Sequence, residues 1–209
     1  MDKEIVIEIV KIIPSVLWVF LVAFLVFLFR KVINNDLLSR LTNFKALGVE
    51  ASFIKQELDH VASSSRNEVA GTDESRSQVA RRAGRIKNIL SGTRILLVND
   101  VPAEMNAVVS ILEELKIRVS IATSTNEAID RLKNNRFDLV VSDMRRGDEI
   151  DAGARLLSET RKLGIDKPTI FIVGNYKPDR GVPAYAFGIT NRVDELLNLI
   201  FDAIERSKG

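Results

Sequence analysis

The hydrophobic positions of the chain fall into three regimes. Ile12–Phe29 reads IIPSVLWVFLVAFLVFLF, without a charge. Eighteen residues at about 1.5 Å rise make a helix of roughly 27 Å, close to a hydrocarbon core of about 30 Å. Pro14 sits in the first turn, where a missing N–H costs least. The pattern predicts a retained transmembrane anchor over 1–31. MDKE is not a basic signal-peptide start, and Phe-Leu-Phe-Arg-Lys offers no small-residue cleavage site. Arg30, Lys31, Arg40 and Lys45 follow the span, which by the positive-inside rule puts the C-terminal side in the cytoplasm.

The second regime is mixed. Leu37, Leu38, Leu41, Phe44 and Leu47 recur at helical spacing. Gly48 interrupts, and Val49–Phe53 fits either a short strand or the start of a second helix. Ile54, Leu58 and Val61 suit one helix face. The expectation is a juxtamembrane stalk over 32–62 that packs on itself or on a copy of itself. Ser63–Ser77 (SSSRNEVAGTDESRS) has the composition of a flexible linker. Gln78–Leu90 then places Val79, Ala83, Ile86 and Leu90 on one face. Arg81, Arg82, Arg85 and Lys87 make this helix basic, as is Arg76 before it. A solvated lead-in helix is the first reading of it, and contact with an anionic membrane surface the second. Linker and helix together occupy 63–91.

The third regime, 92–209, alternates strand and helix. Strands are predicted at Arg94–Val98, Ile117–Ala122, Phe137–Ser142, Thr169–Val173 and, weakly, Ala186–Thr190. Helices are predicted at Pro102–Lys116, Ser124–Asn135, Ala152–Leu163 and Val193–Arg206. Ser124 with Glu127 reads as a capping box, and Gly164 as a helix stop. The fold class is α/β, a five-stranded doubly wound parallel sheet in the order 2-1-3-4-5. Ligands of such sheets sit beyond the carboxyl ends of the strands, at the switch point between strands 1 and 3. Asp100 and Asp143 stand at those two ends. Paired carboxylates suit a hard cation such as Mg2+, and a carboxylate beside Mg2+ can take up a phosphoryl group.

Composition narrows the chemistry. There is no cysteine, and His60 is the one histidine, so thiolate sites, disulfides and multi-His metal clusters are excluded. A net charge of +2 in 209 residues gives no overall nucleic-acid signature. No phosphate-binding glycine loop or nucleophile elbow occurs, so an independent enzyme is not expected.

The segments ILLVND, EAIDRLKNNRFDLVVSDM, AGARLLSETRKLG and KPTIFIVG make Thr93–Arg206 resemble the receiver domain of bacterial response regulators. The resemblance implies a flavodoxin-like receiver in which Asp143 is the phosphoacceptor, served by a histidine kinase. It implies Mg2+ held by Asn99, Asp100, Asp143 and the backbone carbonyl of Arg145. Several positions depart from the family. Asn99 is neutral, which removes one charge from the Mg2+ site. Val173 stands where a Thr or Ser hydroxyl ends strand 4. Gly188–Arg192 contains no Lys-Pro, with Thr190 and Arg192 as partial substitutes. Pro178, Gly181 and Pro183 oppose a helix between strands 4 and 5, a region of the usual output face.

Two functional readings follow. One is a single-pass protein of the bacterial inner membrane with its receiver-like domain in the cytoplasm. It would be an atypical response regulator or a pseudo-receiver used for docking or sensing, self-associating through stalk and span. The alternative is a membrane effector, for example in phage defence, whose cytoplasmic domain senses a ligand or partner and clusters the spans. Arg145, Arg146, Asp148, Glu149 and Asp151 after Asp143 read as a solvated charged loop.

Overall fold

A computed structural model describes residues 17–22, 24, 27, 38–64, 71–175 and 181–208. The chain forms two compact units, Met1–Leu47 and Gly48–Gly209. In the first, residues 17–22, 24 and 27 are helical, and Leu17 to Val22 expose 45–72% of their surface. Most of the expected Ile12–Phe29 span lies outside the described residues. Among the described residues no helix is long and apolar enough to cross a membrane.

Helix α1 runs over Leu38–Ser64 and passes through Gly48 without a break. Val49–Phe53 is therefore helix, and the strand alternative is corrected. One helical glycine costs only about 1 kcal/mol relative to alanine. Burial of Ile54 and Leu58, 0% and 1% exposed, offsets that cost. Helix α2, Asp73–Leu90, begins before the expected Gln78. Thr72 caps it by accepting from the Ser75 N–H at 3.1 Å, and Asp73 and Glu74 lie in the first turn. Both features favour an early helix start.

The lead-in helix is not a solvated one. Val79, Ala80, Ala83 and Leu90 of α2 are buried in the same apolar cluster as Ile54 and Leu58. The basic residue at the centre of the packing is Arg82. It donates to Asn198 at 3.1 Å and Asp202 at 2.5 Å, also pairs with Glu205, and lies over the Phe201 ring. The stalk and linker joint is held by charge as well, with Lys55 on Asp59 and Asp73, and Arg76 on Asp59. Of the α1 face expected to pack on itself or on a copy, Ile54 and Leu58 are buried in this cluster.

The α/β part follows the expected alternation. In chain order it comprises β1 (Arg94–Val98), a 3-10 turn (Pro102–Met105) into α3 (Asn106–Glu114), β2 (Arg118–Ala122), α4 (Thr125–Asn134) and β3 (Leu139–Asp143). It continues with α5 (Ala152–Lys162), β4 (Thr169–Ile172), β5 (Gly188–Thr190) and α6 (Val193–Lys208). The strands pair in parallel in the order β2-β1-β3-β4-β5. Ser124 caps α4 through the Glu127 N–H, while the Glu127 carboxylate accepts from Thr123 rather than from Ser124 itself.

Alternation along the strands makes two layers. Ile95 and Leu97 face α1, α2, α3 and α6, whereas Leu96 and Val98 face α4 and α5. The helices α1 and α2 therefore add to one layer of a doubly wound sheet. Residues 181–187 between β4 and β5 hold no helix.

If α1 is part of this core, Leu58→Ala lowers unfolding free energy by about 2–5 kcal/mol. Chemical denaturation of the full chain checks this, and an unchanged midpoint would show that α1 is a detachable stalk.

Candidate functional site

The register of β1 on β3, with Val98 beside Ser142, brings Asn99-Asp100 and Asp143 to one end of the sheet. Asn99 is buried, and its side-chain oxygen accepts from the Val101 N–H at 2.7 Å, which turns the chain away from β1. Asp100 is exposed and accepts from the Gly147 N–H at 2.7 Å, so the loop after β3 closes onto it. Gly147 has φ +53, a left-handed conformation that suits glycine. Asp143 Oδ1 accepts from the Arg145 N–H at 3.2 Å. Behind it, the start of α5 comes so close that a Cβ on Gly153 would lie 2.9 Å from the Asp143 carbonyl oxygen.

Burial pushes the Asp143 carboxyl above its ordinary value. The Arg145 N–H opposes this, the charge of Asp100 adds to it, and the charge of Arg146 opposes it. The β1–β3 register places Asp100 and Asp143 at the same end of the sheet, where the charge of Asp100 acts on Asp143. Arg146 does not lie in a solvated loop, which corrects the expectation for it. It is 7% exposed and donates to the Ser142 and Thr125 hydroxyls and to the carbonyls of Asp143 and Ala152, at 2.7–2.8 Å. Burial lowers its pKa against the pull of Asp143, Glu149 and Asp100. Nothing in the run Arg-Arg-Gly-Asp distinguishes this arginine from its solvated neighbour Arg145.

A pocket of about 420 Å³ opens beside Asp143. Asn99, Val173, Thr190, Asn191 and Arg192 line it, together with Val61 from α1. Val173 brings only methyl groups to the wall after β4. The Thr190 hydroxyl donates to Glu195 at 2.6 Å. Arg192 is bound through two nitrogens to Asp194, at 3.1 and 2.5 Å. Asp194 is 1% exposed and also accepts from the Ser75 hydroxyl at the start of α2. Gly71, φ +68, leaves no room for a Cβ against that carboxylate. A residue read as flexible linker thus has a fixed place beside the turn after β5. The role of Asp194 was missed because Ser75, which joins it to α2, is distant in sequence.

A model of the response regulator receiver domain family matches residues 95–194. Residues 95–194 form a response-regulator receiver domain.

Solved structures resemble the same part of the chain. A CheY-like receiver domain protein from Methanospirillum hungatei JF-1 is 26% identical, with TM-score 0.47, over 55% of this chain and 94% of its own. A receiver domain protein from Clostridium thermocellum is 25% identical, with TM-score 0.48, over 56% and 97%. A two-component response regulator from Clostridium difficile, 18% identical over 56% and 99%, reaches TM-score 0.50. No curated protein matches the chain. The sheet order and flanking helices of the receiver domain are those of the flavodoxin-like fold.

Receiver domains typically bind Mg2+ at the phosphorylation site. Asn99, Asp100 and Asp143 offer oxygen donors, the type Mg2+ takes. The repulsion between Asp100 and Asp143 is of the kind a divalent cation relieves. Among the described residues no group of three or more His, Cys, Asp or Glu side chains able to hold a metal ion occurs, and at this site Asn99 is an amide. The donor set is therefore of the right kind, with less charge than three acids would give.

A carboxyl with a raised folded-state pKa favours folding in its protonated form. That contribution is whole below the ordinary value of 3.8 and is lost as pH rises through the raised value. Charged Asp143 thus opposes folding at neutral pH. In chelated buffer, Asp143→Asn raises Tm by about 1–3 °C near pH 7. The gain fades as pH falls through the raised value and is gone below 3.8. Thermal melts across this range check it; a lower Tm at pH 7 would mean that the charge is used to hold the loop.

Proposed function

We propose that this protein is a membrane-anchored pseudo-receiver, a non-enzymatic docking and sensing module on the cytoplasmic side of a bacterial inner membrane. Asp143 remains the candidate phosphoacceptor. The observation that carries the reading is the wall of the pocket beside it. A receiver holds a phosphoryl group with a hydroxyl after strand 4 and a lysine after strand 5. Here Val173 supplies methyl groups and the Arg192 guanidinium is engaged by Asp194. An aspartyl phosphate at Asp143 would find its charge poorly met on that side.

Mg2+ would be held by Asp100, Asp143, Asn99 and the Arg145 carbonyl, and when bound would offset the charge of the acids and of any phosphoryl oxygens. Arg145 and Gly147 keep Asp143 and Asp100 in fixed orientations through their N–H groups. The partners are histidine kinases or other signalling proteins, the general partners of receiver domains. Anchoring by Ile12–Phe29 is supported by that uncharged run and by the exposure of the apolar residues 17–22. Self-association falls to the segment before Gly48, since Ile54 and Leu58 are taken up in the core. The helices α1 and α2 join the domain to the anchor. They take the place, as route of output, of the family's helix between strands 4 and 5.

The test is intact mass of the full chain in detergent after incubation with Mg2+ and a small phosphodonor. The expected result is no stable gain of one phosphoryl group. A gain that Asp143→Asn abolishes would overturn the pseudo-receiver reading in favour of a working response regulator.

A further inference from the structure

Arg146 lies beside the acid pocket, nearly removed from water. The groups it bonds are two hydroxyls, of Ser142 and Thr125, and two backbone carbonyls, of Asp143 and Ala152. All four are uncharged, so they satisfy its N–H groups without neutralising it. A buried charge is costly unless opposite charge compensates it. One of its nitrogens lies 2.7 Å from the Asp143 carbonyl oxygen, and the next residue, Gly147, donates its N–H to Asp100, so the charge stands at the acid pair. Asp143, Glu149 and Asp100 all favour its charged form against burial. Two of these three are the carboxylates at the sheet's switch point. The guanidinium is also fixed in place, tying the end of β3 to the starts of α4 and α5. Its charge therefore cannot move away when a second cation approaches.

We propose that Arg146 is the built-in counter-ion of the Asp100–Asp143 pocket, a positioning residue that takes over part of the charge balance of a divalent cation and weakens cation binding there. The inference rests on reading this pair as the receiver's acid pocket, and its test does not depend on phosphotransfer. With Asn99 neutral, the Asp100–Asp143 pair carries two negative charges, and Arg146 brings the formal sum of these three groups to −1. A dication entering it meets a fixed positive charge across a partly desolvated gap, where screening is weak.

A tether without an electrostatic role predicts the opposite sign. Removing a mere tether loosens the loop and weakens cation binding, whereas removing a counter-ion strengthens it. The experiment measures Mn2+ binding to the full chain by electron paramagnetic resonance of the free ion, with Mg2+ as competitor. Arg146→Met, of similar length but neutral, is expected to tighten binding about tenfold relative to wild type, and Arg146→Lys, which keeps the charge, to leave it nearly unchanged. If circular dichroism shows Arg146→Met unfolded, Arg146→Gln is the neutral variant, since its amide still donates to one of the hydroxyls. Unchanged or weaker binding in the neutral variant, or equal tightening in Arg146→Lys, would overturn the proposal. Phosphoryl transfer measured on the same samples reports separately on the pseudo-receiver reading.

Discussion

Parallel pairing of β1 with β3 is the constraint on which the rest depends. Its register sets Val98 beside Ser142, so the residues that follow each strand emerge at the same edge. Asn99 and Asp100 then face Asp143 without any of the three choosing its neighbour. Both strands are buried on both faces, which fixes their register strongly, because a slip of one residue would exchange the faces of the sheet. The loop after β3 completes the arrangement through Gly147 on Asp100 and Arg145 on Asp143.

On that frame the receiver domain has altered how its charges are met. A family site is built so that mobile partners, a metal ion and a phosphoryl group, find complementary charge. Here Arg146 is fixed beside Asp143, Arg192 is held by Asp194, and Val173 brings no donor. Each of these features supplies permanently an interaction that a working receiver makes transiently, or removes one. The proposed docking and sensing role rests on that difference in charge and donors.

The additional helices are the other departure. Apolar residues of α1 and α2 enter the same cluster as those of α3 and α6. Arg82 binds α2 to α6 along its length, and Ser75 binds its first turn to Asp194. The turn after β5 is thereby joined through Asp194 to the first turn of α2. Helices that share a core with the receiver are physically different from a flexible tether.

The sequence by itself determined the alternation of elements, the parallel sheet order and the positions of Asp100 and Asp143. These depend on local periodicity and on the handedness of strand–helix–strand crossovers, which act over short stretches of chain. Only the tertiary structure decided the fates of Arg146, Asp194, Gly71 and the α1–α2 pair. Arg146 and Arg145 are neighbours of one residue type, and burial alone separates them. Asp194 acquires its meaning from Ser75, far away in the chain. Gly71 reads as a linker residue until a carboxylate closes on its Cα. Arg82 of α2 reads as solvated until Asp202 and Glu205 arrive opposite it. In each case the deciding partner is brought by the fold, and no local pattern encodes it.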